Sequence, residues 1–280
     1  MNLNFREALV TLTRALPLVL FRAGIFVAGG FAIIILFGML LVAFRLAGGS
    51  PILPLAAGLL VFSGWWISAL VMRRFFLYRH RAGMLLLFSG RTLPSPGLAT
   101  AIREAGRFFP DHSRWAAVNR NLRRFLAVQH RFGAELPVLA DARAGAVDLL
   151  ATGLLGQSIL VLAFLRDGKD ASQSAREGLA LYLEHGLAAR NSSRAWLGFS
   201  AVGLLLLFLC LALPNWFFFG VAGVPAWIGV ALAAVIAWLL HQAFVVPFVL
   251  AGISSTLLAE TRGYAPDPDL SEKLASMLAF

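Results

Sequence analysis

The chain has 280 residues, of which 59% are hydrophobic and only 14% are charged, and its formal net charge is +10. Soluble domains are about 45–50% apolar and about 25% charged, so a soluble fold of this size could not bury so much apolar surface. The composition therefore excludes a soluble protein and predicts an integral membrane protein. Arginine supplies 22 of the 24 basic residues. This bias fits phosphate-bearing lipid headgroups as partners, although a GC-rich genome is the favoured explanation.

Two long uncharged runs lie near the N-terminus. Arg22 and Arg45 are separated by 22 uncharged residues, and Arg45 and Arg73 by 27. A helix needs about 20 apolar residues to cross about 30 Å of hydrocarbon. Gly and Pro residues interrupt the second run near its start, so the pattern predicts a hairpin with spans at 23–44 and 52–72. The first run is too long for a signal peptide and leads into a second span, so we expect an uncleaved anchor.

The segment 73–194 carries 17 Arg and one Lys against nine acidic residues. Its most patterned stretch is "FFPDHSRWAAVNRNLRRFLAVQHRFG" (108–133), where Pro110 and Asp111 predict a helix start and Gly133 its end. A basic helix with an aromatic stripe is typical of the membrane interface. The candidates for contact with anionic lipid headgroups are Arg114, Trp115, Arg120, Arg123, Arg124 and Arg131. In the alternative, the stripe packs on neighbouring helices and the arginines are solvated.

The segment 149–165 has 17 uncharged residues and is barely long enough to span. Cytoplasmic loops carry an excess of Lys and Arg. The Lys and Arg residues all lie on the cytoplasmic side of the membrane only if this segment does not span it. We therefore favour four spans with both termini cytoplasmic, and 149–165 as a buried or re-entrant helix; five spans remain the alternative. Asp167 and Asp170, just beyond it, are interpreted as a helix start.

Residues 195–259 contain 65 positions without Asp, Glu, Lys or Arg. The stretch "LPNWFFFGVAGVP" (213–225), with two prolines and an aromatic cluster, divides them and predicts a second hairpin, 195–213 and 226–250. His241 and Gln242 are the intramembrane polar candidates. Counting along the helix places His241 near the inner headgroups, and Pro247 predicts a kink. We interpret His241 as a packing residue beside that kink, with a gating or ligand role as the alternative.

The fold class that follows is all-α: a polytopic helical membrane protein with two transmembrane hairpins flanking a basic, helical, cytoplasmic-side segment. The predicted parts are an N-terminal amphipathic segment and hairpin (1–72), the basic segment (73–194), and a second hairpin with a cytoplasmic tail (195–280). The two hairpins share an order of features at nearly constant offsets of 170–174 residues. An internal duplication explains these offsets, and so does the general likeness of apolar hairpins.

Side chains that could carry chemistry are sparse. We find no motif for catalysis, a metal ion or a cofactor, and an enzyme is the less favoured class. The favoured function is a non-enzymatic accessory or assembly protein of the bacterial inner membrane. It would bind anionic lipid headgroups and either further copies of itself or another membrane protein. The alternative is an oligomeric transporter, channel or lipid-translocating protein. The net charge follows the inside-positive layout, so nucleic acid is not expected as a partner.

Overall fold

The computed structural model describes residues 3–46, 78–91, 93, 98–128, 146–165, 170–221 and 226–277. Within these ranges the chain forms helices and no strand, which confirms the predicted all-α class. The helices are α1 (Phe5–Arg14), α2 (Leu16–Leu46), α3 (Tyr78–Phe88), α4 (Leu98–Phe108), α5 (His112–Val128), α6 (Ala146–Ala163), α7 (Ala171–His185), α8 (Leu187–Val221), α9 (Ala226–Leu240), α10 (Val246–Thr261) and α11 (Pro268–Met277). A π-helical turn, His241–Val245, joins α9 to α10.

Among the described residues, two helical stretches are long and apolar enough to cross a membrane: Leu187–Phe218, with 32 residues, and Gly229–Thr261, with 33. The pair Phe5–Arg14 and Leu16–Gly29, bent by 82°, would make a third if it were one span. The predicted span 23–44 falls within α2. The predicted span 52–72 lies outside the described residues.

The chain divides into two compact units. Unit 1 comprises Met1–Val19, Arg79–Val202 and Val246–Phe280, and unit 2 comprises Leu20–Tyr78 and Gly203–Val245. Unit 2 contains four arginines and no carboxylate. Its part of α8 turns large apolar side chains outward, which is typical of a surface that meets lipid or other apolar helices. These side chains are Leu205, Leu206, Leu209, Leu213, Phe217, Phe218 and Val221.

Helix α6, which contains most of the doubtful segment 149–165, lies at the centre of unit 1. Helices α5, α7 and α10 pack around it, and Ile159 and Leu160 are fully buried. Its polar side chains face protein: the Ser254 hydroxyl of α10 donates to Ser158 Oγ at 3.3 Å. A Cβ at Gly178 of α7 would lie 3.1 Å from the Ile159 carbonyl oxygen, so the glycine allows close approach of the two helices.

The start of α8 is fixed by a side chain from the end of α10. The carboxylate of Glu260 accepts hydrogen bonds from the backbone amides of Ala188 and Ala189, each at 2.8 Å. These amides belong to the first turn of α8, where N–H groups have no partner within the helix. Glu260 therefore caps α8 and ties it to α10.

The prediction that α8 ends near Leu213 is wrong. Pro214 lies inside the helix, which continues to Val221. Proline removes one helical hydrogen bond, but in an apolar setting no water competes for the remaining ones, so helices tolerate it there. The side-chain amide of Asn215 donates to the carbonyl of Leu211 at 2.8 Å and adds a local hydrogen bond beside the proline.

Candidate functional site

The basic helix α5 begins where the sequence predicts. A carboxylate oxygen of Asp111 accepts a hydrogen bond from the Arg114 amide at 2.7 Å and another from the Ser113 hydroxyl at 2.5 Å. Both bonds favour the ionised carboxyl and lower the pKa of Asp111 below its usual value. The predicted N-cap at Asp111 is thereby confirmed.

The apolar stripe of α5 is covered by protein. Trp115 is 5% exposed and packs edge-on against Phe109, with the ring centroids 4.9 Å apart. Val118, Leu122 and Phe125 are likewise buried, in a helix that contacts α6 and α7. The Trp115 ring therefore lies inside unit 1, and not on an open face as an interfacial anchor would. The stripe follows the packing alternative.

Arg120 and Arg124 lie on the outer side of α5, whereas Arg123 lies on the flank that faces α6. Arg120, Arg123 and Arg124 are exposed. Arg114 pairs with Asp170, the residue whose side chain also caps α7. Arg131 lies outside the described residues. Contact between these arginines and lipid headgroups stays a prediction.

The stem of Arg123 lies along α6 beside two glycines. Cβ atoms built at Gly153 and Gly156 would be 3.7 Å and 3.6 Å from its side chain. Desolvation against this helix lowers the pKa of Arg123, but a guanidinium remains charged at any physiological pH. These two glycines weaken 149–165 as a lipid-facing segment and instead leave room for an arginine stem.

The intramembrane candidates lie in the π-helical turn. His241 opens the turn and is 7% exposed, and Gln242 is half-buried. Pro247 follows two residues after the turn and cannot donate to the carbonyl of Ala243. A single wide turn is a known way for a helix to absorb such a loss. The structure thus has a π-helical turn where the sequence predicts a kink.

A cavity of about 980 Å³ lies within unit 1. It is bounded by α1, the turn after α3, the ends of α6 and α10, and the side of α7. Three arginines and one glutamate are the charged residues of its lining: Arg6, Glu7, Arg14 and Arg262. Within the described part of the chain, none of the three guanidinium groups has an ion-pair or hydrogen-bond partner.

Glycines in the left-handed conformation position two of these arginines. Gly90, with φ +75°, turns the chain after α3, and a Cβ at this residue would lie 2.9 Å from Nη1 of Arg14. The guanidinium of Arg14 therefore occupies the space above a residue that has no side chain. Gly263, with φ +86°, terminates α10 directly after Arg262. Both backbone conformations favour glycine.

The rest of the lining is divided between apolar and polar side chains. Leu162, Leu165 and Leu258 form part of the apolar wall, and Leu165 is 47% exposed. Several lining hydroxyls already donate to backbone carbonyls: Ser89 to Leu86 at 2.6 Å and Ser255 to Gly252 at 2.9 Å. The guanidinium groups are the charged donors of the lining, which also contains the polar side chains of Asn4, Thr11 and Tyr264.

The cavity is not evident from the sequence. Residues 1–22 have the pattern of an amphipathic N-terminal segment, and Arg6 and Arg262 lie 256 positions apart. The available signal was the pattern of α1 itself, "FREALVTLTR", in which the buried Ala8 and Thr11 alternate with charged residues. That pattern shows an amphipathic helix but not which distant residues share its polar face.

Among the described residues, no three His, Cys, Asp or Glu side chains lie close enough to hold a metal ion. In comparisons with known proteins, no family model, no curated protein and no solved structure matched the chain.

Proposed function

We propose that this protein is a non-enzymatic accessory or assembly component of a membrane, which binds anionic lipid headgroups through arginines and other membrane helices through apolar surfaces. The observation that carries the proposal is the outer face of α5. Its apolar stripe is buried, so the exposed Arg120, Arg123 and Arg124 are held on a rigid helix as a cationic patch. Such a patch near an anionic surface gains about 1 kcal/mol per charge.

The proposed layout is that of the bacterial inner membrane, with four spans and both termini cytoplasmic. The net charge of +9 over residues 73–194 supports it, since basic segments stay on the cytoplasmic side. The outward apolar side chains of α8 support association with a second copy or another membrane protein. Residues such as Phe217 and Phe218 are 73% and 76% exposed and offer large contact areas.

One observation favours the second candidate function, lipid handling within an oligomeric transporter, channel or translocating protein. A cavity that combines unpaired arginines with leucines suits an amphiphile better than it suits a purely structural role. Accessory binding and lipid handling both place an anionic lipid on this protein, and they differ in whether the lipid moves.

The test uses the full chain in bilayers that contain phosphatidylglycerol and phosphatidylcholine. Relative affinity for the two lipids is measured by tryptophan quenching with brominated chains. Replacing Arg120, Arg123 and Arg124 with Gln should reduce the preference for phosphatidylglycerol by several-fold at low salt. The loss should shrink as salt screens the charges.

The α5 double variant Arg120→Gln/Arg124→Gln is compared with a control that removes the same number of charges, Arg103→Gln/Arg107→Gln on α4, where both arginines are exposed. The control should reduce the preference less than the α5 variant does. An α5 variant with the wild-type preference at all salt concentrations would refute headgroup binding by this face.

A further inference from the structure

The cavity of unit 1 has an excess of positive charge. Its lining contains three arginines against one glutamate, a formal balance of +2. Like charges gathered in a concave site repel one another and attract a counter-ion. Arg6, Arg14 and Arg262 are exposed and have no ion-pair or hydrogen-bond partner among the described residues, so their guanidinium groups are available to bind an anion.

The type of cation indicates the type of anion. A guanidinium presents a planar fork that binds two oxygens of a phosphate at once, which a lysine ammonium cannot do. A phosphate monoester carries a charge of about −1.5 to −2 at neutral pH. That charge matches the excess in the lining, and the lining contains no lysine.

The apolar wall indicates what the phosphate is attached to. Val10 and Leu165 are 50% and 47% exposed, although both line the cavity beside the arginines. Leu162 and Leu258 extend this wall. A free, hydrated phosphate ion would gain nothing from such a surface, whereas an acyl chain would bury it and gain about 25 cal/mol per Å².

Helix α1 indicates how such a molecule reaches the cavity. Arg6 and Arg14 line the cavity, while Leu9 is 55% exposed. The chain turns by 82° between α1 and Leu16–Gly29, the start of the apolar α2. An amphipathic helix of this composition, followed by a sharp turn into an apolar helix, is typical of a helix that lies in the headgroup layer.

From these four features we infer that the cavity is a binding site for a phosphate-bearing anionic amphiphile, with Arg6, Arg14 and Arg262 on the phosphate and the leucine wall on the first methylenes of its chain. The inference rests on the proposed function in one respect, which is that an anionic bilayer supplies the lipid.

The experiment titrates the detergent-solubilised full chain with dihexanoyl phosphatidic acid and follows the one-to-one adduct by native mass spectrometry and the thermal unfolding midpoint. Wild type should bind in a saturable manner and be stabilised. The variant Arg14→Gln/Arg262→Gln should raise Kd by about tenfold or more, the usual loss for a charged hydrogen bond. Arg103→Gln/Arg107→Gln, with the same change of net charge, should bind like wild type.

Two further titrations test whether the site binds an anionic lipid headgroup or a free phosphate ion. Dihexanoyl phosphatidylcholine should bind more weakly, because its choline neutralises the headgroup. Inorganic phosphate should compete only weakly, because it lacks the apolar chain. Saturation by inorganic phosphate alone, with no gain from the acyl chains, would overturn the amphiphile assignment. Equal binding of the lipid by wild type and Arg14→Gln/Arg262→Gln would overturn the site.

A folding control keeps the result interpretable. Arg14→Lys/Arg262→Lys retains both positive charges but cannot form the paired hydrogen bonds of a guanidinium, so it should bind with intermediate affinity. It should elute from gel filtration at the same volume as wild type. The variant with Gln at positions 120, 123 and 124 should retain the one-to-one adduct. If that variant keeps the wild-type lipid preference while the cavity still binds, only the proposed function fails. If the preference falls but Arg14→Gln/Arg262→Gln binds normally, only the cavity inference fails.

Discussion

The indole ring of Trp196 occupies the space that a side chain at Gly252 would need. A Cβ built at Gly252 would overlap Cζ2 and Cε2 of the indole, and Trp196 is itself 1% exposed. The rings of Phe5, Phe199 and Phe248 lie around it with centroids 5.3, 5.7 and 5.5 Å away. The indole therefore cannot swing aside, and this contact joins α1, α8 and α10 within unit 1.

Replacing Gly252 with alanine should destabilise the protein by about 1–3 kcal/mol, the usual cost of overpacking a closed core. The free energy of unfolding in detergent is the measurement. Gly198→Ala, on α8 with open space around it, is the control and should lose nothing. In a double-mutant cycle, Gly252→Ala should cost less in the Trp196→Leu background than in wild type, because the overlapping indole is then absent. Equal stability of the two alanine variants would contradict the placement of the indole.

The Asp111 cap predicts a pH effect. Hydrogen bonds from Ser113 and from the Arg114 amide hold the pKa of the Asp111 carboxyl below its usual value. Its stabilising contribution is therefore present above the unfolded pKa of about 3.9 and is lost as the pH falls through the lower folded value. Asp111→Asn keeps a capping oxygen but does not titrate. The gap between the unfolding midpoints of wild type and this variant should shrink between pH 7 and pH 2; a constant gap would contradict the argument.

His241 at the π-helical turn is predicted to be a packing residue. His241→Gln retains hydrogen-bonding capacity, so we expect this variant to fold and assemble normally. His241→Leu should weaken helix association by about 1 kcal/mol, measured as a shift in the unfolding midpoint in detergent. If the glutamine variant assembled normally but failed to complement a gene deletion, the imidazole itself would be implicated in function.

The four-span topology can be tested with reporter fusions after Gly49, Arg131, Gly168, Gly220 and Phe280. The expected locations are outside, inside, inside, outside and inside, because the basic segments should remain cytoplasmic. External signals at both Gly168 and Phe280 would instead establish five spans.

The sequence predicted the features that depend on neighbouring residues. Asp111 and Asp170 cap helices because a short carboxylate before an apolar run satisfies the first free amides. The apolar stripe that contains Trp115 fits both the lipid interface and packing on neighbouring helices, because the sequence pattern does not reveal whether lipid or protein covers it. Pro214 predicts a helix end by the rule for helices in water. The helix continues through it because proline is a weaker breaker in apolar surroundings. The arginine cavity escaped prediction because only the tertiary fold brings α1 and the end of α10 together.

The placement of Arg14 above Gly90 has a consequence for the evolution of the protein. A residue with a side chain at position 90 would be strained at φ +75° and would push the guanidinium out of its place. The glycine at position 90 thus provides both the left-handed turn and the space that the Arg14 guanidinium occupies. Among homologous sequences, those with arginine at 14 should have glycine at 90, whereas loss of the arginine alone should not release position 90, because the left-handed backbone there still favours glycine.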